Sequence, residues 1–247
     1  MTGTIKLHGT HADLLVYPSG SGLEVDGKVV CHSRNRTELT VESDNQGFAP
    51  FCSTRKAAIR RLTQRVRERW RKLHPDAEIG DEPVILAGEW IGAGIQKNVA
   101  ISRLSKRWVI CSLKVAGTWE PLERYADIED SDAGLVNVSR GGFYHLQYRY
   151  QDEGQAFLEK AKNLTVDIRT SCPFGKTFGV SGAGEGLVWT SSTSSGHPPP
   201  PLPSPIFQTS GSRPRASSPS LRPGRRKKTP TRLPGAAIRK SEPRLSR

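Results

Sequence analysis

The chain has 247 residues and a formal charge of +13, from 37 Lys and Arg against 24 Asp and Glu. It contains no run of about 18 apolar residues, the length a membrane span needs, and no basic-then-apolar leader pattern, so it reads as an intracellular protein with no membrane partner. Its cysteines (Cys31, Cys52, Cys111 and Cys172) form no CxxC or Cys/His ligand spacing, which argues against structural zinc and against a disulfide framework.

Met1 to Tyr17 reads as a strand, carried by Ile5, Leu14, Leu15 and Val16, and Val25 to His32 as its hairpin partner across a turn with Ser19, Gly20, Ser21 and Gly22. Thr54 to Leu73 is the clearest helix. Ile59, Leu62, Val66, Trp70 and Leu73 recur three or four apart and line one face. Ser53 or Thr54 is the expected cap, and Pro75 follows the end. The opposite face carries Arg60, Arg61, Arg65, Arg67, Arg69, Arg71 and Lys72, read either as solvated charge or as a phosphate-contacting surface.

Further strands are expected at Val84 to Gly88, Trp108 to Val115 and Gly186 to Trp189, with a strand or short helix around Phe143 to Tyr150. A second helix is expected through Gln155, Phe157, Leu158, Lys160 and Ala161. Strands outnumber helices without regular alternation, the pattern of an α+β domain with antiparallel sheets.

Near Trp189 the composition changes. Twelve of the 18 prolines lie beyond it, with few large apolar residues. Such a segment buries too little surface to offset its ordering entropy, so 191–247 is expected to be a disordered, basic, Pro/Ser/Arg-rich tail. Its twelve basic residues against the single acid Glu242 carry eleven of the thirteen units of net charge. The body, 1–190, is nearly neutral.

Three islands in the body carry chemistry. The first is Lys6-Leu7-His8-Gly9-Thr10-His11, a lysine at a strand end with glycine three residues on, which can present its amine to a ligand. A nucleophilic amine must be deprotonated, so neighbouring cations or desolvation have to lower its pKa. Alternatively, Lys6 is an ordinary exposed strand lysine. The second island is Gly88-Glu89-Trp90, running on through Gly94-Ile95-Gln96-Lys97-Asn98-Val99. The third is Gly182-Ala183-Gly184-Glu185-Gly186-Leu187-Val188-Trp189. Each of the last two places a carboxylate beside a β-prone run, and neither matches a Rossmann or P-loop fingerprint.

In order and spacing these islands resemble the covalent nucleotidyltransferases, and within them the ATP-dependent RNA ligases of the phage double-strand-sealing and RNA-editing type. Lys6-Leu7-His8-Gly9 is similar to the K-x-[DHN]-G nucleophile motif, and Ser33-Arg34-Asn35-Arg36 to the adjacent basic motif. Gly88-Glu89-Trp90 with Gly94 to Val99 resembles the third motif and its continuation, closer to RNA than to DNA ligases or capping guanylyltransferases. Glu185-Gly186-Leu187-Val188 resembles the fourth. The resemblance covers about residues 1–190 and implies a nucleotidyltransferase (ATP-grasp-like RNA/DNA ligase adenylation) domain of α+β class, incomplete on its C-terminal side.

The resemblance also implies roles. Lys6 attacks the α-phosphate of ATP to form a lysyl–AMP, AMP passes to an RNA 5′-phosphate, and a 3′-hydroxyl displaces it to seal the strand. Arg34 contacts phosphate, for which its fork is suited. Glu89 holds the ribose or assists a metal, and Glu185 positions Mg²⁺, a hard cation matched to oxygen ligands. His11 falls in the ATP site where such ligases commonly carry Asn, with a charge that depends on pH.

Two departures accompany the resemblance. Cys111, on the Trp108 strand, takes the position of the aromatic residue that stacks on adenine, and is alternatively a small apolar core residue. After Trp189 no β-patterned run carries the family's Lys-x-Lys pair, and Arg225-Arg226-Lys227-Lys228 lies in a Pro-rich context. Two other readings therefore stay open beside the ligase: a catalytically impaired ligase-like body that binds RNA, and a basic tail that tethers nucleic acid. The composition break coincides with the end of the family pattern, so the chain is expected to be an incomplete or aberrantly spliced product. Sequencing the transcript across the codons for Trp189 and Thr190 tests this, and a continuous transcript with matching tail peptides overturns it.

Overall fold

The computed structural model describes residues 1–19, 27–147 and 154–191. The chain divides into two units, Met1–Pro201 and Leu202–Arg247, and the described residues all belong to the first. The expected tail lies outside the described residues from 192 onward, as do Gly20, Ser21 and Gly22 of the expected turn.

The expected first strand is two. β1 (Thr2–Lys6) and β2 (Thr10–Val16) enter different sheets and are joined by Leu7-His8-Gly9. β1 is the centre of a three-stranded sheet, between β8 (Tyr144–His145) and β9 (Gly186–Thr190). β2 belongs to a larger antiparallel sheet with β3 (Val29–Ser33), β4 (Val84–Ile91), β5 (Arg107–Val115) and β6 (Thr118–Glu120), in the order β3-β2-β4-β5-β6. β7 (Leu135–Asn137) pairs in parallel with the first half of β5. The β2–β3 hairpin pairing and the strands at β4, β5 and β9 follow the sequence expectation. The short β8 lies within the Phe143 to Tyr150 stretch, of which 148–150 lie outside the described residues. The class is α+β with mainly antiparallel sheets.

Alternation of side chains along β2 sends Ala12, Leu14 and Val16 into the core and His11 and Asp13 to the other face. The core side meets Trp90 and Trp108, both buried, with Phe48 packed 5.6 Å and 6.3 Å from their rings. Each indole N–H is satisfied by backbone: Trp90 Nε1 donates to Gln46 O at 3.0 Å and Trp108 Nε1 to Ala12 O at 2.7 Å.

Helices α1 (Phe48–Ser53) and α2 (Lys56–Leu73) cover this sheet. The apolar stripe of α2 is buried at Ile59, Leu62, Val66 and Trp70, as the spacing requires. The expected hydroxyl cap is not used. α2 starts at Arg55 with no side-chain cap, because Ser53 and Thr54 spend their hydroxyls closing α1, donating to Pro50 O at 2.8 Å and Phe51 O at 3.0 Å. α3 (Gly154–Thr170) lies beside β9 and extends well beyond the expected helix, and α4 (Pro173–Lys176) is a single turn. Among the described residues no helix is long and apolar enough to cross a membrane.

Part of the basic face of α2 is tied down within the fold, while Arg61, Arg71 and Lys72 stay exposed. Arg67 is buried and donates to Val16 O at 3.2 Å. Arg65 donates to Glu129 O and Asp127 O, and Arg69 holds the Asp127 carboxylate with two hydrogen bonds, at 3.1 and 2.9 Å. Arg65 and Arg69 fasten the loop after β6 to the helix, a use of the planar fork that a lysine cannot reproduce.

Where β4 meets β5 the register slips between Ala87 and Gly88, so that Ala87 faces Ser112, Gly88 faces Ile110 and Cys111 is the extra residue of a bulge. A Cβ on Gly88 would meet the Val109 carbonyl and lie 2.7 Å from Trp108 Nε1. Gly88→Ala is therefore expected to lower stability by about 1–3 kcal/mol in urea denaturation, as overpacking does, and to displace the neighbouring Glu89.

Candidate functional site

Lys6 ends β1 directly opposite Gly186, the first residue of β9, so the preceding residue Glu185 lies beside it. Lys6 Nζ is bonded to Glu185 Oε1. His8 Nδ1 lies 3.4 Å from Glu185 Oε2, an approach that leaves this buried oxygen without a hydrogen bond. The chain then turns into the larger sheet at Gly9. A Cβ here would lie 2.7 Å from Trp90 O and 2.8 Å from Glu89 Oε2, so only glycine lets the chain after Lys6 and β4 come this close.

In the larger sheet His11 faces Glu89 in register across β2 and β4. Glu89 is largely buried, and its Oε2 has no hydrogen-bond partner. Burial pushes its pKa up to about 7, against the pull of His11, Lys6 and Arg34 and with the help of Asp13. The Lys6 pKa is lowered. Desolvation is the main cause, Glu89 opposes it and Arg34 adds to it. The His11 pKa is raised, chiefly by its hydrogen bond to Asp13, 2.8 Å from Nε2 to Oδ2.

Arg34 is exposed in the tight turn after β3, where Ser33 N donates to Arg36 O at 2.9 Å. Its charge is felt at Lys6, His11 and Glu89. The structure thus assembles Lys6, His11, Arg34, Glu89 and Glu185 from four stretches of chain at the junction of the two sheets. Gln96, in the loop after β4, closes one side, with Nε2 donating to Gly9 O at 3.4 Å.

Cys111 packs partly buried against the core as the bulge residue, with Sγ 3.6 Å from Val109 O. Its thiol pKa is pushed up by desolvation and by the carboxylates Glu89 and Asp13. It is therefore an unreactive neighbour of the site rather than a nucleophile.

Sequence reasoning passed over His8 as a contact of Glu185, and passed over Asp13 altogether. Asp13 lies two residues beyond His11 on a strand, so the period of two places them on the same face, and that signal was available. Asp13 also accepts from Gly88 N at 3.1 Å, tying the bulge to β2.

The donor set sets the terms for a metal. Among the described residues no group of three or more His, Cys, Asp or Glu side chains is placed to hold an ion by itself. Glu185 offers a hard oxygen that lacks a hydrogen bond, which fits Mg²⁺ where phosphate oxygens supply further ligands. For a nucleotide, the site offers the orphaned Glu89 Oε2 and His11.

No protein-family model matches the chain, and a search of curated proteins finds no match to it.

Glu89 yields a stability prediction. Its folded-state pKa, about 7, lies above the ordinary 4.5, so the fold retains a proton that the unfolded chain releases. That contribution is fully present below the ordinary value and is lost as pH rises through the folded one. Glu89→Gln removes the ionisation, and is expected to be more stable than the parent above pH 7, by up to about 3 kcal/mol, with no advantage near pH 4. Denaturant melts at several pH values check this.

Proposed function

We propose that the chain is an ATP-dependent RNA ligase that forms a lysyl–AMP at Lys6. The observation that carries this reading is Lys6 with its pKa lowered, at a strand end, flanked by Glu185 and by the charges of Glu89 and Arg34. Neutral Lys6 Nζ attacks the α-phosphorus of ATP, a P–N bond forms, and the bond to the bridging oxygen breaks with release of pyrophosphate. The proton lost from the amine has an adjacent acceptor in Glu185. An RNA 5′-phosphate oxygen then displaces Lys6 from the adenylate. Finally a 3′-hydroxyl attacks that 5′-phosphate, AMP leaves, and a phosphodiester is formed.

Arg34 neutralises phosphate charge from outside, Glu89 and His11 bind the nucleotide, and Glu185 would hold Mg²⁺, which supplies Lewis-acid stabilisation of the phosphoryl oxygens when bound. The run Gly94-Ile95-Gln96-Lys97-Asn98-Val99 that follows Gly88-Glu89-Trp90 favours RNA over other nucleotidyl acceptors, by resemblance.

One observation favours a second reading, an impaired ligase-like RNA-binding protein. Glu185 pairs directly with Lys6, an arrangement that favours its ammonium form, and beyond Trp189 the sequence has no β-patterned Lys-x-Lys to oppose that pairing. Incubation with α-labelled ATP and Mg²⁺ separates the two. Label on the protein, abolished in Lys6→Ala and in the charge-preserving Lys6→Arg, is expected for the ligase. The labelling rate should rise with pH as the ammonium loses its proton, with a midpoint below the ordinary lysine value of 10.5. Absence of label at saturating ATP supports the impaired form, and a nicked-RNA sealing assay then tests the later steps.

A further inference from the structure

Asp13 belongs to no motif of the resemblance, yet it is built into the site. Its two oxygens do different work. Oδ1 accepts from the backbone N–H of Gly88, the residue before Glu89, at 3.1 Å. Oδ2 lies 2.8 Å from His11 Nε2. The carboxylate side chain is largely buried, 17% exposed against 38% for His11, so the acceptor is partly shielded from water while the ring stays open on one side. An ionised carboxylate only accepts, so Nε2 must carry the proton of this bond. The ring is then held by one edge, and Nδ1 is the atom left for a ligand. The charged groups acting on this ring are Asp13 and Glu89, which favour its charged form, and Arg34, which opposes it.

We propose that Asp13 is a positioning residue for the nucleotide site: it locks His11 through Nε2, so that Nδ1 is presented to a ribose hydroxyl of the bound nucleotide, accepting its hydrogen when the ring is neutral, and through Gly88 it fixes Glu89 in register with His11. This rests on the reading of the site as an ATP site. It adds what the resemblance does not supply, namely how a histidine serves where such ligases commonly carry an amide. An asparagine presents its N–H₂ without a titration. An imidazole must be oriented and kept in one protonation pattern, and a carboxylate partner does both.

The experiment uses the full chain and three variants: Asp13→Asn, His11→Asn and the double substitution. Long-range ¹⁵N–¹H spectra of the imidazoles, assigned with His11→Asn, read the His11 tautomer and its titration. The expected result is Nε2 protonated throughout in the parent. In Asp13→Asn the titration midpoint falls and the Nδ1–H form becomes populated. ATP dependence of protein labelling reads the consequence. Asp13→Asn should raise the ATP concentration for half-maximal labelling about tenfold, the usual scale for losing an orienting partner, with the saturating rate little changed. In the His11→Asn background the same change should cost less than twofold.

A parent His11 protonated at Nδ1 alone overturns the proposal. An equal shift in both backgrounds also overturns it, since that marks a backbone role through Gly88 and not one through His11. Asp13→Ala, which leaves Gly88 N–H unpaired, separates that backbone contribution as lost stability in denaturant melts. If the parent takes no label the ligase reading fails. The tautomer, together with the shift of His11 resonances on adding ATP in parent and Asp13→Asn, then decides the Asp13 proposal by itself.

Discussion

The site depends on one close approach. Between Lys6 and Thr10 the chain leaves the small sheet and enters the large one, and at Gly9 it passes within contact of Trp90 O, Glu89 and Ile91. Any side chain there would push β2 away from β4. His11 and Glu89 would lose their register, and Lys6 would move away from both. Absence of a Cβ at a single position therefore holds together a lysine on one sheet and a carboxylate on another.

The electrostatic character of the site follows from that closeness. Glu89 loses most of its water against the strands, which favours its neutral form, while Lys6, His11 and Arg34 favour the ionised one. Burial dominates and leaves the group balanced near neutrality. Lys6 feels the converse: desolvation pulls its pKa down while the carboxylate restrains the fall. Opposed desolvation and charge of this kind bring titratable groups toward the working pH, and they recur where proton transfer and phosphate chemistry occur. A nearly neutral body with a few cations placed at one junction suits such a site better than uniform basic charge.

The remainder of the domain is rigid support. Arg65 and Arg69 of α2 bind carbonyls and a carboxylate of the loop after β6, and Arg67 reaches Val16 O, so part of the charge that looks like a nucleic-acid face in a helical projection serves as internal fastening. The tryptophans Trp90 and Trp108 lock the other face of the sheet that carries His11 and Glu89. The bulge at Cys111 shifts the β4–β5 register just before Glu89.

Local pattern was enough for α2, β4, β5, β9 and the α+β class, because apolar periodicity reports which face of an element meets a core. Lys6, Arg34, Glu89 and Glu185 could be singled out from motif order, and their meeting at one junction follows from pairings such as Lys6 with Gly186, which spans 180 residues. Three things were decided only by tertiary structure. The break of the first strand at Gly9 answers a steric demand from β4, which is remote in sequence. The unused cap of α2 reflects competition from α1 for the same hydroxyls. The fate of the α2 arginines was set by where the Asp127 loop came to lie. Periodicity carries the orientation of a side chain within its own element. The partner it meets, and the water it loses, depend on chain segments that only folding brings alongside.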